Sequence, residues 1–256
     1  MAALEDAVAA LAPLGAASGG ERSTLVPGSG RFVRALAGPH VAVIAEIKRR
    51  SPSKGAIADD LVAPERALTY ERAGAAALSI LTEPTRFGGS LGDLRDVRAA
   101  VGLPLLRKDF ITHRVQLLEA RVAGAAAALL IARALHPDML AELAADAAAI
   151  GLEVLVEVRS EEELERAVAV AGAVIGVNNR NLETLEIEPS VTERLLPMVP
   201  VGRAGVYESS VQGIADVERA ARLGADAVLV GSMLSASTDG AAAVRALTTV
   251  PRRPRG

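Results

Sequence analysis

Short apolar runs alternate with amphipathic segments along most of the chain, from residue 41 to residue 247. The apolar runs are four to seven residues long, and near-continuous runs of this length are typical of parallel strands buried on both faces. They predict eight strands: Val41–Ile47, Ala76–Leu81, Pro104–Lys108, Ala126–Ile131, Leu152–Val158, Val174–Asn178, Pro200–Val206 and Ala227–Val230. The segments between them predict helices: Pro64–Ala73, Leu91–Val101, Arg114–Ala123, Pro137–Ile150, Glu161–Val170, Ser190–Leu196, Ile214–Leu223 and Gly240–Leu247.

A repeated glycine supports this count of elements. A Gly-Ala pair leads into an apolar strand at Gly74, Gly124, Gly172 and Gly224, at spacings of 50, 48 and 52 residues. Each glycine suits the position just after a helix, where a positive φ is favoured. A period near 50 residues is two strand–helix units, and four such pairs close a barrel. An open doubly wound sheet would also alternate, but eight even units favour an α/β fold of the (β/α)8 TIM-barrel type.

The two ends of the chain differ from this alternation. Residues 1–40 hold one helical pattern at Ala2–Leu14, a link rich in Gly, Ser and Pro, and a short apolar element at Phe32–Leu36. We interpret them as a short N-terminal extension packed on the outside or the end of a single domain that spans residues 1–256. The tail at 251–256, with Arg252–Arg255 among prolines, is expected to fray.

The composition narrows the classes of protein. Half of the residues are apolar, there is no cysteine, and the net charge is −3. These values predict a sizeable core, no disulfide framework or thiolate zinc site, and no nucleic-acid surface. Neither a membrane-spanning run nor a secretory signal is visible, so we expect a cytoplasmic protein.

Polar side chains follow the ends of the predicted strands. Glu46 and Lys48 are two apart at the end of the first strand and therefore share a face. Similar residues end other strands: Lys108 on the third, Glu157 on the fifth, Asn178 and Arg180 on the sixth, Glu208 on the seventh. One such pair alone could be a solvated surface ion pair, but in a barrel all these ends meet at one face. Their recurrence predicts an active site there rather than a solvated rim.

The lysines are few. Only Lys48, Lys54 and Lys108 occur among 28 basic residues, the remainder being arginine. An ammonium can donate a proton, whereas a guanidinium in practice cannot, so surviving lysines are candidates for proton transfer. Chance survival is the alternative, and we favour it for Lys54, which lies in a polar loop.

The last two strand ends suggest a phosphate ligand. Ser209-Ser210 and Gly231-Ser232 each follow a buried strand and precede a helical segment. Backbone N–H groups at such positions bind phosphate, and these are the loops in which barrels commonly place it. A serine that merely caps a helix is the alternative interpretation of either loop alone.

Several longer motifs carry a resemblance to a known family. They are AEIKRRSPSKG, the TEP..FGGSL loop at Thr82–Leu91, PLLRKDFI, LEVLVEV, IGVNNRNL and GADAVLVGSML. In this order and spacing, from about Phe32 to Leu234, the chain resembles the indole-3-glycerol phosphate synthase family.

The resemblance implies a carboxy-lyase of tryptophan biosynthesis that uses neither cofactor nor metal. Its substrate would be the small molecule 1-(2-carboxyphenylamino)-1-deoxyribulose 5-phosphate. Lys108 looks like the general acid of ring closure, and Glu157 is similar to the carboxylate that stabilises the anilinium charge or acts as base. Lys48 would hold the substrate carboxylate or act as acid in dehydration, with Glu46 beside it as base or orienting group. Which lysine serves which proton transfer stays open.

The same resemblance assigns binding roles. Asn178 and Glu208 would hold substrate hydroxyls and order the lysines. The walls around the anthranilate ring would be Pro52, Phe87 and Phe110. The sugar-phosphate end would be served by Ser51, Arg180, Ser209, Ser210, Gly231 and Ser232. We expect a monomer with no membrane or nucleic-acid partner, and association with other enzymes of the pathway stays open.

The chain departs from the family in the seventh loop, Tyr207-Glu208-Ser209-Ser210-Val211. Ser210 stands where the family has glycine, and we expect its Cβ to crowd the phosphate and to resist a positive φ. Tyr207 adds bulk at the end of a strand. Two other functions remain as alternatives: a different phosphosugar barrel enzyme, and a catalytically impaired paralogue that serves as a binding or assembly partner.

Overall fold

The computed structural model describes residues 1, 30–53 and 55–255. The helix predicted at Ala2–Leu14 and the side chain of Lys54 lie outside these residues. The short apolar element predicted at Phe32–Leu36 is a helix, Arg31–Ala35.

Eight parallel strands form a closed barrel, as the apolar runs predict. The strands are β1 (Ala42–Ile47), β2 (Ala77–Leu81), β3 (Leu105–Lys108), β4 (Ala127–Ile131), β5 (Glu153–Val158), β6 (Val174–Asn178), β7 (Gly205–Glu208) and β8 (Ala227–Val230). Each strand pairs with the next along the chain, and β8 pairs with β1 to close the ring. The (β/α)8 TIM-barrel prediction is confirmed.

Helices connect successive strands on the outside of the barrel. The helices that follow β1 to β8 in turn are Ala63–Arg72, Leu91–Ala100, Arg114–Val122, Pro137–Ala149, Glu161–Ala169, Ser190–Leu195, Ile214–Arg222 and Gly240–Leu247. Further short elements lie in the loops: a hairpin of Arg50–Ser51 with Gly55–Ala56, helices Pro84–Phe87 and Ser232–Ala236, and 3-10 turns Ala132–Ala134 and Leu196–Met198. Within the described ranges, no helix combines the length and the apolar composition needed to cross a membrane.

The repeated glycines have the predicted backbone. Gly74, Gly124, Gly172 and Gly224 follow connecting helices with φ values of 95°, 89°, 73° and 82°. Since residues with a Cβ rarely adopt such angles, glycine allows each helix to end and the next strand to begin almost at once.

The seventh strand is shifted from its predicted position. The sequence predicts Pro200–Val206, whereas β7 is Gly205–Glu208. The first part of the predicted run is a turn, in which the Arg203 N–H donates to the Pro200 carbonyl and Gly202 has φ 89°. The predicted apolar run therefore includes a turn. The strand itself begins later than predicted and ends at Glu208.

Two apolar layers make up the core. One lies between the strands and the outer helices, and the other fills the barrel interior. The helix Arg31–Ala35 closes the N-terminal end of the interior, where Phe32 is fully buried. Glu153, at the start of β5, accepts hydrogen bonds from the N–H groups of Phe32 and Val33 at 2.6 and 3.0 Å. The described part of the extension, residues 30–40, therefore packs on the end of the barrel through the helix Arg31–Ala35.

The C-terminal tail is docked, which corrects the expectation that it frays. The carboxylate of Asp226, just before β8, pairs with Arg252 at 3.0 Å and with Arg255 at 2.8 Å. The N–H of Arg252 also donates to the Pro39 carbonyl. Two of the three arginines that suggested a solvated tail are therefore held by one buried carboxylate.

Candidate active site

A cavity of about 910 Å³ opens at the C-terminal ends of the strands. All the candidate residues from the sequence line it: Glu46, Lys48, Ser51, Pro52, Phe87, Lys108, Phe110, Glu157, Asn178, Arg180, Glu208, Ser209, Ser210, Gly231 and Ser232. They come from β1, β3, β5, β6 and β7 and from the loops that follow β1, β2, β3, β6, β7 and β8. The barrel thus brings together residues more than 180 positions apart in sequence.

Lys108 lies among carboxylates. Its Nζ is 3.2 Å from Oε2 of Glu157 and 3.7 Å from Oε2 of Glu208. Burial alone would lower the pKa of Lys108, but the charges of Glu157, Glu208 and Glu46 outweigh it and raise the pKa above its usual value. The ammonium is therefore charged at neutral pH and carries a proton that can be donated.

Glu46 and Lys48 form the second charged pair. Lys48 Nζ lies 2.7 Å from Oε1 of Glu46, on the shared face that the strand pattern predicts. Burial would raise the pKa of Glu46, but Lys48, Lys108 and Arg180 together lower it. The carboxylate is thus kept ionised beside an ammonium, as an acid–base pair requires.

Glu208 is the most enclosed of the carboxylates, with 1% of its surface exposed. Its Oε1 has no hydrogen-bond partner within the described structure. Burial, reinforced by the charges of Glu157 and Glu46 and opposed by Lys108, raises the pKa of Glu208 to about 8. Glu208 therefore keeps its proton to a higher pH than an exposed carboxyl does, and its unpaired oxygen lies against Gly176. Gly176 on β6 provides the room, since a Cβ there would lie 2.1 Å from that oxygen.

The sixth strand end holds two polar candidates in fixed orientations. Oδ1 of Asn178 accepts the N–H of Arg180 at 2.8 Å. The guanidinium of Arg180 donates to the Leu185 carbonyl at 2.8 Å, so Arg180 braces its own loop at the cavity wall.

Two aromatic rings form one side of the cavity mouth. The centroids of Phe87 and Phe110 are 6.4 Å apart, with the rings tilted by 46°. Pro52 lies in the exposed turn of the hairpin after β1, and Ser51 beside it is buried with an unpartnered Oγ. Phe87, Phe110 and Pro52 provide an apolar surface beside the charged side chains of the cavity. An aromatic ring can stack on such a surface.

The seventh loop corrects one expectation about Ser210. Among the non-glycine residues that the structure describes, positive φ occurs at Leu185 and Ser209, the latter with φ 57°. The strained position is therefore Ser209, while Ser210 has an ordinary φ. Its hydroxyl hydrogen-bonds Tyr207 and Asn179, both at 2.9 Å.

Gly231 has a role that its motif does not reveal. A Cβ at Gly231 would lie 2.2 Å from Oε1 of Glu46 and 2.9 Å from Nζ of Lys48. The absence of a side chain at Gly231, just after β8, thus allows the Glu46–Lys48 pair to pack against the backbone of the eighth loop.

Sequence reasoning missed several residues that line the cavity. They include Leu129 and Ile131 from β4, Leu182, Leu185 and Ile187 from the sixth loop, and Asp109 after β3. Apolar residues in an otherwise polar loop were an available signal for the sixth loop. For β4 no signal existed, because every position of the run AALLI is buried.

Asp109 orders the end of β3. Its Oδ2 accepts hydrogen bonds from the Thr82 hydroxyl at 2.6 Å and from the buried Arg107 guanidinium at 2.9 Å. Because Arg107 and Asp109 flank Lys108, this network fixes the direction in which the lysine enters the cavity. Among the described residues, no group of three or more His, Cys, Asp or Glu side chains is arranged to hold a metal ion.

Comparison with known sequences indicates a single family. A family profile described as "Indole-3-glycerol phosphate synthase" matches residues 20–247. A protein of that name from Nocardioides sp. is 53% identical over 209 residues, covering 82% of this chain and 80% of the relative. Those from Streptomyces griseus and Mycolicibacterium gilvum are 48% and 44% identical, over 91% and 98% of this chain and 87% and 91% of the relatives.

The barrel of this chain is similar to that of several solved structures. The tryptophan synthase alpha chain from Legionella pneumophila superposes with a TM-score of 0.63 at 14% identity, covering 85% of this chain and 95% of that one. A tryptophan synthase structure from Pyrococcus furiosus gives a TM-score of 0.62 at 14% identity, over 82% and 98%. At such low identity these likenesses support the barrel alone.

Proposed function

Because the chain belongs to the indole-3-glycerol phosphate synthase family, we propose how its cavity residues divide the work of that reaction. The family enzyme is a carboxy-lyase of tryptophan biosynthesis. It closes the indole ring of 1-(2-carboxyphenylamino)-1-deoxyribulose 5-phosphate with loss of CO2 and water. The impaired-paralogue alternative is not favoured, since each candidate for proton transfer is present in the cavity.

Ring closure needs an acid at the ketone. The aromatic carbon that bears the carboxylate attacks the ketone carbon, and the ketone oxygen gains negative charge. We assign the donated proton to Lys108, which its three carboxylate neighbours keep charged. Glu157, 3.2 Å from Lys108, would stabilise the positive charge that develops on the anilino nitrogen. The observation that carries this assignment is that Lys48, Lys108 and Glu157 share one cavity.

Decarboxylation follows from the same intermediate. Loss of CO2 disperses the negative charge of the carboxylate, so an apolar environment favours it over solvated surroundings. Phe87 and Phe110 would hold the anthranilate ring, with Leu129 and Ile131 beneath it.

Dehydration needs an acid and a base on one face of the product ring. Lys48 would protonate the departing hydroxyl while Glu46, 2.7 Å from it, removes a proton from the ring. Asn178 and Glu208 would orient the substrate hydroxyls. The exchange of roles between the two lysines is the alternative that the geometry leaves open, because both ammonium groups face the same cavity.

The substrate phosphate would lie against the seventh and eighth loops, at Ser209, Ser210, Gly231 and Ser232. The first-turn N–H groups of the helix Ser232–Ala236 have no acceptor within that helix. Together with Ser51, Ser209 and Ser210, which line the same cavity, they would provide a polar surface that suits an anion.

We also propose that the enzyme acts as a monomer in the cytoplasm. Support comes from the site itself, because all the assigned residues come from one chain. Light scattering on a sizing column tests the monomer.

The experiment that tests the proposed function follows product formation by indole fluorescence, with CO2 release measured in parallel. We expect equal amounts of the two products from the wild-type chain, and a large loss of turnover in Glu157→Gln with the fold retained. Wild-type turnover with an undiminished Glu157→Gln rate would contradict the assignment of Glu157.

A further inference from the structure

A buried hydrogen-bond chain ties the loop after β7 to the outside of the barrel. Ser210 Oγ donates to the Tyr207 hydroxyl and accepts from Nδ2 of Asn179, both at 2.9 Å. Oδ1 of Asn179 accepts from the hydroxyl and the N–H of Thr192 at 2.9 and 3.1 Å. Tyr207, Asn179 and Thr192 are all fully buried. The chain therefore runs from Ser210, which is partly exposed on the seventh loop, through three fully buried side chains to the helix Ser190–Leu195.

The residue next to this network has a strained backbone. Ser209 has φ 57°, a conformation that residues with a Cβ adopt only where the surroundings determine it. On one side of it, Glu208 belongs to β7 and is fixed by the strand ladder. On the other side, Ser210 is held by its two side-chain hydrogen bonds. Glu208 is thus held by the sheet, whereas Ser210 is held by side-chain hydrogen bonds.

We propose that Tyr207 is a positioning residue for the substrate phosphate: through Ser210, its hydroxyl holds the seventh loop in the conformation that binds the anion. Tyr207 does not belong to the described residues that line the cavity, so it acts at a distance. The inference rests on the proposed function, which places phosphate against Ser209, Ser210 and the eighth loop.

This role separates binding from chemistry. Lys108 and Glu157 lie on β3 and β5, whereas the network joins the sixth and seventh loops. Loss of the Tyr207 hydroxyl should therefore lower the affinity for phosphate and leave the proton-transfer groups in place. Ser210 and Tyr207, which lie in the loop that departs from the family, would then act as a hydrogen-bonded pair.

The test uses Tyr207→Phe, which removes one oxygen and keeps the ring. The matched control is Tyr70→Phe, because Tyr70 is the only other tyrosine, is also fully buried, and lies on the helix Ala63–Arg72. We expect Tyr207→Phe to raise both the KM for substrate and the inhibition constant of inorganic phosphate by about two- to tenfold, the range of one net hydrogen bond. We expect kcat to change less than twofold, and Tyr70→Phe to leave all three values within twofold.

A second variant keeps the proposal falsifiable if the first is poorly folded. Ser210→Ala breaks the same bond from its other end, so the double variant should lose less affinity than the product of the two single effects. Unchanged constants in Tyr207→Phe, or an equal fall in kcat, would overturn the proposal, as would independent effects in the double variant. If phosphate does not compete with substrate in the wild-type enzyme, the phosphate site itself is wrong, and the positioning role falls with it.

Discussion

The ammonium of Lys108 lies 3.2 Å from the carboxylate of Glu157, although the two residues are 49 positions apart in the chain. They reach each other because β3 and β5 both end at the same mouth of the barrel, with β4 between them. Glu208 approaches the same ammonium from β7 at 3.7 Å. One lysine thus faces two carboxylates that come from different strands.

Glu208 should make the stability of the enzyme depend on pH. Its pKa in the folded protein is raised to about 8 by burial, with Glu157 and Glu46 adding to the effect and Lys108 opposing it. Unfolded, the carboxyl has its usual pKa of 4.5. Between these values the folded state holds a proton that the unfolded state has lost, so the free energy of unfolding falls as pH rises. The slope approaches about 1.4 kcal/mol per pH unit for one proton.

Glu208→Gln removes that titration. Urea unfolding at pH 5.5, 6.5 and 7.5 should show the variant gaining stability relative to wild type as pH rises. Glu142→Gln, on an exposed position of the helix Pro137–Ala149, should follow the wild-type curve. Parallel curves for Glu208→Gln and wild type would show that the carboxyl is ionised throughout this range.

Gly231→Ala should disturb the Glu46–Lys48 pair. The new Cβ would lie 2.2 Å from Oε1 of Glu46, so the carboxylate must move. A misplacement of about 1 Å in a catalytic group can cost about a hundredfold in rate, and we expect a fall in kcat of about ten- to hundredfold. The control is Gly213→Ala, since nothing lies within 4 Å of a Cβ there. Equal kcat values for the two alanine variants would refute the close-packing argument.

Glu153 should stabilise the closure of the barrel's lower end. Its carboxylate accepts the N–H groups of Phe32 and Val33, which begin the helix Arg31–Ala35. Glu153→Ala should lower the free energy of unfolding by about 1–3 kcal/mol, the usual cost of leaving such groups unpaired. Glu142→Ala should stay within about 0.5 kcal/mol of wild type. Chemical denaturation measures both, and a loss no greater in Glu153→Ala than in Glu142→Ala would exclude a capping role.

Much of this fold could be predicted from the sequence because the signals are local. Apolar runs located the strands, and repeated glycines marked where helices end. The alternation on β1 placed Glu46 and Lys48 on one face, and the structure pairs them at 2.7 Å. The start of β7 could not be predicted, since Val201 is as apolar as the strand that follows but belongs to a turn.

The rest depends on contacts between distant segments. A completely buried run such as β4 does not reveal which residues face the cavity, so Leu129 and Ile131 were not found. The partner of Tyr207 and the Cβ space at Gly231 arise only when neighbouring loops are packed together. The docking of Arg252 and Arg255 likewise requires a buried carboxylate 26 and 29 positions away.

The catalytic account is tested most directly by the steady-state rate of Lys108→Arg. Arginine keeps the positive charge for Glu157 and Glu208 but is too weak an acid to donate the proton. We predict a kcat reduced by about 10²- to 10⁴-fold, the usual contribution of a general acid, with inorganic phosphate inhibition and the unfolding curve preserved to show an intact site. A kcat near the wild-type value would contradict the role of Lys108 as the acid of ring closure.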